Sequence, residues 1–480
     1  MRSLNGCIPL KLVSMENLTP TRYWEICPLD NKSSLLLHLL TGAIDILNSD
    51  EVIVIQKLFE DGEIFNLPDS VKFCLTERGY LSNPESEQIF IDDLAKRHQE
   101  QIRKKPIECF ICTTFSCPLG CSYCFEGKLT TEAKAKAINT EQISSIFKSI
   151  EKIIEEQNRP LKEIVLFGGE PLLPITMNAV SEILKQAADR NFKVSVCTSG
   201  IFCEEFLPLL REFSEVVSVV RITIDGTQEY HNSLRTLPSA FERAAIGIDS
   251  LLQANIRVMT RTNVGKQNVD VIPAMANYFV ERKWTNYPNF EAIITGIKDR
   301  GCLGDKGQLF REDELAFRFL EMRSRFEAIR FLRPVNIFMS LRHLATNLGH
   351  LEGIVRLQDA VTPLQTIKFH GCGATDGTLY VFGVDNKVYT CTEAIGKPFM
   401  SVGKYFPELD LDQNRVGKWQ GWHKYNIPEC RDCKYLLICG GTCTMSSVSQ
   451  FGSGKKPVCP PIKNIVEGYV SALSSRIAIV

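Results

Sequence analysis

The sequence predicts an α/β chain built on a parallel sheet, curved or wound, with a smaller module before it and a cysteine-rich one after it. Three observations carry this. Between residues 108 and about 300, six short apolar runs alternate with helical segments, the pattern of successive β-α units. Residues 1–100 have another texture, short strands followed by amphipathic helices, and hold no clustered cysteines. From about residue 365 short strands and turns take over, together with most of the remaining clustered cysteines.

Taken in order, residues 22–27 (RYWEIC) and 34–46 (SLLLHLLTGAIDI) read as short strands, with Leu40-Thr41-Gly42 as a turn. Residues 49–60 and 67–78 read as amphipathic helices, the first started by Ser49 or Asp50, and a polar helix follows over about 89–105. The central strands are predicted at 109–114, 163–167, 193–198, 217–224, 256–263 and 289–295. Helices over 140–157, 175–190, 203–213, 239–254 and 269–282 separate them. In such sheets chemistry sits at the carboxyl ends of the strands. Residues 304–345 are charged and read as helical, and turns are expected at Asp376-Gly377 and Asp385-Asn386. No internal repeat or low-complexity tract occurs.

Composition removes several function classes. The 55 Lys and Arg balance 56 Asp and Glu, and no basic block occurs, so a dedicated nucleic-acid binder is not expected. No run of about 18 apolar residues exists, so no membrane span is predicted. The start MRSLNGCIPLKLV is too short in apolar residues for a signal peptide. The expected location is therefore intracellular, in the cytoplasm, where clustered cysteine points to metal more often than to disulfide.

Eighteen cysteines are present. Two groups stand out: Cys117-x3-Cys121-x2-Cys124, and Cys430-x2-Cys433-x5-Cys439-x3-Cys443. The first falls just after the first central strand, where a site is expected. A [4Fe–4S] cluster normally takes four thiolates. Three cysteines on one tight loop hold three irons and leave the fourth open to a bidentate small ligand. Zinc is the alternative, but it needs a fourth ligand, and the chain has seven His.

The spacing Cys117-x3-Cys121-x2-Cys124, with the aromatic Tyr123 inside it, resembles the signature of the radical S-adenosylmethionine (SAM) superfamily. The resemblance implies a partial (β/α)6 TIM-like barrel. It implies a cluster whose open iron chelates SAM and, on reduction, yields a 5′-deoxyadenosyl radical that abstracts a substrate hydrogen. Gly168-Gly169-Glu170 resembles the family's GGE motif, whose backbone binds the SAM amino group. Thr198-Ser199-Gly200 stands where relatives often show Thr-Asn-Gly near the ribose. Thr223-Ile224-Asp225-Gly226 and His231-Asn232-x2-Arg235 resemble a further segment, in which Thr223 would hydrogen-bond SAM and Arg235 pair with its carboxylate. The alternative for this last segment is a helix cap or a packing contact.

The C-terminal pattern resembles the SPASM domain, an extension of radical SAM enzymes that carries auxiliary [4Fe–4S] clusters. Asn386 replaces a family glycine five residues before Cys391 and tolerates the same left-handed turn. The resemblance implies that Cys430, Cys433, Cys439 and Cys459 hold one auxiliary cluster, and that Cys372, Cys391 and Cys443 hold another. The second lacks its fourth cysteine; Thr366 stands where some relatives have one. An open iron or a non-Cys ligand is expected there, and a zinc ribbon is the alternative for the region. Cys7, Cys27, Cys74, Cys109, Cys112, Cys197, Cys203 and Cys302 read as small buried hydrophobes.

The expected domains are 1–100, 105–345 (radical SAM core) and 365–480 (SPASM). Within this family the chain resembles ribosomal-peptide (RiPP) maturases. Sulfatase-maturing relatives have an Asp base directly after the cysteine equivalent to Cys391, where this chain has Thr392 and then Glu393. They also begin close to their cluster loop. Peptide maturases often carry an N-terminal winged-helix recognition element that binds a leader by strand addition, and residues 1–100 fit that, with the hairpin near 34–46 as the docking edge. The implied reaction is hydrogen abstraction from a precursor peptide, installing a thioether or carbon–carbon cross-link or a similar oxidative modification. Flavodoxin or ferredoxin is the implied electron donor. Glu393 is the candidate proton acceptor, against a plain surface carboxylate. Formylglycine formation on a sulfatase, and a non-catalytic Fe–S or zinc-binding regulator, are the other readings.

Overall fold

The chain was analysed as a computed structural model that describes residues 1–3, 10, 12, 16–64, 67–127, 136–298, 307, 309–337, 372–439, 441 and 443–477. Cys7, Cys302 and Thr366 lie outside them, as does part of the segment 304–345.

The N-terminal module is a four-stranded antiparallel sheet with helices packed on it. Its strands are β1 (Arg2–Ser3), β3 (Trp24–Pro28), β4 (Ser33–His38) and β5 (Ile44–Asn48), in the order β1-β5-β4-β3. A short pairing of β2 (Thr19–Pro20) with β6 (Leu81–Ser82) lies beside it. Strand β4 is buried over Leu35–His38 and has neighbours on both sides. It therefore offers no free edge, which corrects the expectation that the 34–46 hairpin is a docking edge. The outer strand on that side is β1, whose Arg2 and Ser3 pair with Ile46 and Asp45 of β5.

Helix α1 (Ser49–Asp61) is capped by Asn48, not by Ser49 or Asp50. The Asn48 side chain and Glu51 form a reciprocal capping box. Helices α2 (Asp69–Glu77) and α3 (Pro84–Lys104) follow, the latter capped by Asn83 with proline in its first turn.

The central strands β7 (Ile107–Cys112), β8 (Leu161–Phe167), β9 (Val194–Thr198), β10 (Val217–Thr223), β11 (Val258–Val264) and β12 (Phe290–Gly296) are all parallel and neighbour one another in chain order. Between them run α4 (Thr140–Gln157), α5 (Met177–Asp189), α6 (Cys203–Glu212), α7 (Gln228–Arg235), α8 (Ala240–Gln253) and α9 (Ile272–Glu281). An apolar stripe packs against the sheet in α4, with Ile143, Ile146, Phe147, Ile150 and Ile153, whereas α7 buries His231 and Arg235. Strands buried on both faces read as near-continuous apolar runs, which is why they stand out in the sequence.

Among the described residues, 304–345 is not one helix. Helix α10 (Glu312–Arg325) stops, and β13 (Arg333–Pro334) adds to the sheet beside β12. The residue before a proline favours extended backbone, which suits Arg333 to an edge strand.

At the other edge β14 (Leu379–Phe382) pairs in parallel with β7, and β15 (Lys387–Tyr389), β16 (Gly403–Lys404) and β17 (Asp410–Leu411) continue antiparallel. The result is one eleven-stranded sheet shared by the central and C-terminal regions. The β14–β15 turn passes through Asn386 at φ +66°, the left-handed conformation expected of it. Helices α11 (Gln413–Gly421), α12 (Thr444–Phe451) and α13 (Ile462–Ile477) complete the described fold. Among the described residues no helix is long and apolar enough to cross a membrane.

Candidate active site at the carboxyl edge of the sheet

The loops that leave β7, β8, β9, β10, β11 and β12 meet around a cavity of about 360 Å³. Cys117, Cys121, Cys124 and Tyr123 line it from the first loop, Gly169 and Glu170 from the second, and Thr198 and Ser199 from the third. Thr223, Arg235, Asn263 and Lys298 come from the later ones. Of the residues expected around SAM, Gly168 alone stands back from the cavity wall.

Gly168 and Gly169 have a steric task. Gly168 sits at φ +101°, and a Cβ there would meet the Cys112 Sγ at 2.3 Å. A Cβ on Gly169 would meet the Ser116 carbonyl oxygen at 2.2 Å. The loop after β8 therefore lies directly on the backbone that leads into Cys117, and the Glu170 amide donates to the Ser116 carbonyl at 2.8 Å.

Glu170 is buried and its carboxylate is fully engaged. It accepts from the Thr198 hydroxyl at 2.5 Å, the Ser199 amide at 2.8 Å, the Ser199 hydroxyl at 2.5 Å and the Leu172 amide at 3.0 Å. It thus ties the second loop to the third.

A second network fixes the cysteine loop to α7. The Asp225 carboxylate, fully buried, accepts from Arg235 at 2.7 Å and from the Tyr123 hydroxyl at 2.5 Å. Arg235 also donates to the Tyr123 oxygen at 2.8 Å. The Asn263 amide donates to Asp225 Oδ1 at 3.1 Å. Burial by itself would raise the Asp225 carboxyl, but Arg235, His231 and the Tyr123 hydrogen bond hold it below its ordinary value. Arg235 is thus partnered inside the protein by Asp225 and Tyr123 while still reaching the cavity. Asn232 acts as a structural clip: its Oδ1 accepts from the Phe241 amide at 2.7 Å and its Nδ2 donates to the Pro238 carbonyl at 2.5 Å.

The three thiols are held in a weakly solvated place. Burial pushes Cys117 up to about 12 and Cys124 up to about 11, and raises Cys121 against the pull of Arg235. A thiol so destabilised as an anion gains most from a positively charged iron centre. The donor set is all sulfur, on one loop facing a cavity lined by hydroxyls and the guanidiniums of Arg235 and Arg261, which fits a three-cysteine cluster with a polar ligand beside it. Among the described residues no three His, Cys, Asp or Glu side chains converge as the shell of a single ion; thiolates on a cubane bind separate irons and stand further apart.

Glu393 reaches this cavity from the C-terminal region, on the short turn Thr392–Ala394. It is 3% exposed, so it is not a surface carboxylate. Beside it lies Glu126, two residues past Cys124 and missed by the sequence reading. Burial and the charge of Glu393 push Glu126 up to about 8, against a hydrogen bond from the Gly169 backbone. The adjacency of Glu126 to the third cysteine was visible in the sequence; its pairing with Glu393 was not.

In the C-terminal region, Cys372, Cys391 and Cys443 lie within electrostatic reach of one another. Cys430 is likewise beside Cys433, Cys439 and Cys459. These groupings are the two that the resemblance implies as ligand sets. Of the remaining cysteines, Cys27, Cys109, Cys112 and Cys203 are buried, Cys74 is half-buried, and Cys197 differs in lining the cavity.

The N-terminal module docks on this same C-terminal region. Glu25 on β3 pairs with Lys434 at 2.8 Å and accepts from the Tyr435 hydroxyl. Lys434 also donates to the Trp24 carbonyl at 3.2 Å, and Tyr425 donates to Asp92 on α3.

Residues 111–279 match the Radical SAM superfamily profile. The chain is 26% identical over 343 residues to the AdoMet-dependent heme synthase of Methanosarcina barkeri, covering 68% of this chain and 88% of that one. It is 26% identical over 168 residues to the sporulation killing factor maturation protein SkfB of Bacillus subtilis, covering 35% and 38% of the two chains. The fold resembles Streptococcus suis SuiB bound to its precursor peptide SuiA, with TM-score 0.54 and 13% identity over 91% of this chain and 98% of that one. The uncovered tenth of this chain is shorter than residues 1–100, so the likeness runs into the N-terminal module.

Proposed function

We propose, from the premise that this chain is a radical SAM enzyme, that it matures a precursor peptide by hydrogen abstraction and oxidative modification, such as a thioether or carbon–carbon cross-link. The observation that carries this is the docking of a sheet-bearing N-terminal module onto the cysteine-rich C-terminal region, in a fold shared with a peptide-bound neighbour. A leader would add at the β1 edge of that sheet, opposite β3, the strand that meets the C-terminal region.

Cys117, Cys121 and Cys124 would hold a [4Fe–4S] cluster, and the cysteine sets around Cys391 and Cys430 two auxiliary ones. Bound there with SAM, the first cluster supplies the deoxyadenosyl radical of this superfamily. The chain's own residues do the rest. Asp225, Arg235 and Tyr123 clamp the cysteine loop so that its thiols keep one geometry. Glu170 holds the Thr198 and Ser199 hydroxyls at the cavity wall. Glu126, pushed up to about 8, keeps its proton near neutral pH, so the Glu126–Glu393 pair avoids two adjacent buried charges. Glu393, which faces the cavity, is the proposed acceptor of the proton released when the substrate radical is oxidised, the electron passing to an auxiliary cluster when one is bound. The electron donor is a flavodoxin or ferredoxin.

A second reading takes a heme precursor as substrate, following the M. barkeri relative. Arg261 and Lys298 on the cavity wall favour it, since such precursors carry carboxylates. The docking of the N-terminal module on the cysteine-rich C-terminal region favours the peptide. The test is anaerobic reconstitution with iron, sulfide, dithionite and SAM, followed by mass spectrometry with a candidate precursor peptide and, separately, a carboxylated tetrapyrrole. Mass loss in the peptide with 5′-deoxyadenosine formation is the expected result; turnover of the tetrapyrrole alone would replace this reading with the second.

A further inference from the structure

Lys424 is a buried cation with no partner of the ordinary kind. It lies in the turn Lys424–Asn426, its side chain is 1% exposed, and its Nζ has no hydrogen-bond partner among the described residues. The charged or ionisable groups acting on it are Cys430, Cys443, Cys372 and Cys439. Two of these belong to the four-cysteine set and two to the three-cysteine set. Its alkyl stem has a prepared channel. A Cβ on Gly441 would stand 2.1 Å from the Lys424 Cγ, and Gly441 itself sits at φ +77°. That glycine lies between Cys439 and Cys443, so the loop that carries one cysteine of each set is shaped around this side chain.

An isolated buried ammonium costs several kcal/mol unless something anionic compensates it. Among the described residues, the leading charge partners of Lys424 are these cysteines, so thiolates and whatever they bind are the compensating anions. We infer that Lys424 is a cationic bridge between two auxiliary cluster sites and raises the reduction potential of both. The inference rests on reading the two cysteine sets as cluster sites. A fixed positive charge in a low-dielectric place favours the more negative, reduced form of each cluster. Its position between the sets makes it a positioning residue for electron flow, not a ligand.

The test is an EPR-monitored redox titration of reconstituted wild type, Lys424→Met and Lys424→Arg. In Lys424→Met the reduction equilibrium of both auxiliary signals is expected to fall at least tenfold, about 59 mV for one electron. Lys424→Arg should restore it, and the Cys117-loop cluster should not move. Unchanged potentials, or a change in one auxiliary cluster only, would overturn the inference. Iron content separates the two levels. Wild type with about four irons per chain would mean that the auxiliary reading has failed, whereas about twelve irons with unmoved potentials would mean that the Lys424 role has failed. If the variants do not take up clusters, pulsed EPR of wild type grown on 15N-lysine decides. Weak coupling to both reduced clusters is expected; no coupling, or the strong coupling of an iron–nitrogen bond, would refute the bridge.

Discussion

His231 shows how tightly the residues behind the cavity are set. Its Nδ1 accepts from the Asp225 amide at 3.2 Å, and its ring packs edge-on against Phe241. Burial, with the charge of Arg235, drives the imidazole down to about 4. It is therefore neutral in the folded protein at pH 7, and near 6.5 in the unfolded chain it takes a proton. Stability from this group is complete above about pH 6.5 and is lost as pH falls toward 4, by about 3 kcal/mol. Urea denaturation of the apoprotein at pH 7 and pH 4 should show this loss in wild type. His231→Gln, which keeps an acceptor and does not titrate, should have a smaller pH dependence by that amount. At this scale the sequence was only half legible. Cys117, Cys121, Cys124 and Glu170 announce themselves by spacing, but the partners of Asp225 come from three loops, and Glu126 meets Glu393 across most of the chain. Pairing at that separation is a property of the fold and leaves no local pattern.

At the scale of elements, the six strands and their helices were legible because burial on both sheet faces imposes apolar runs and burial on one helix face imposes a 3.6-residue period. What did not show was how elements meet. The carboxyl end of β8 lies on the segment before Cys117, and the contact is backbone on backbone: a Cβ at Gly169 would stand 2.2 Å from the Ser116 oxygen and 2.7 Å from the Phe115 carbonyl carbon. Neither can yield as a flexible side chain would. Gly169→Ala should therefore shift the cysteine loop, cost about 1–3 kcal/mol as overpacking does, and lower reconstituted iron by about four per chain, one cubane. Gly127→Ala is the control, since among the described residues nothing lies within 4 Å of a Cβ there. Iron analysis and thermal melts of the two variants check this; equal iron in both would show that the contact is not what places the loop.

At the scale of the whole molecule, the N-terminal module is fastened where β3 meets residues 425–435, and Glu25 is the hub of that joint. Lys434 is about a third exposed, 32%, so solvent weakens its share. Glu25→Ala should loosen the joint by about 1.4 kcal/mol, a tenfold rise in the opened population. Limited trypsin digestion should then cut within the lysine- and arginine-rich end of α3 about ten times faster, with iron content unchanged; an unaltered cleavage rate would mean that Glu25 does not hold the module. The other large-scale feature, the single sheet shared by the central and C-terminal regions, bears on how the chain is made. Strand β7, which leads straight into the cysteine loop, receives its second neighbour from residues 379–382, about 270 positions later. During synthesis that strand stays an open parallel edge until most of the protein has left the ribosome. Such edges attract wrong partners, and the metal-binding loop is born next to one. Late closure of the sheet by β14 makes completion of the C-terminal region a checkpoint for the first cysteine loop, so that a truncated chain would carry that loop on an unsealed sheet.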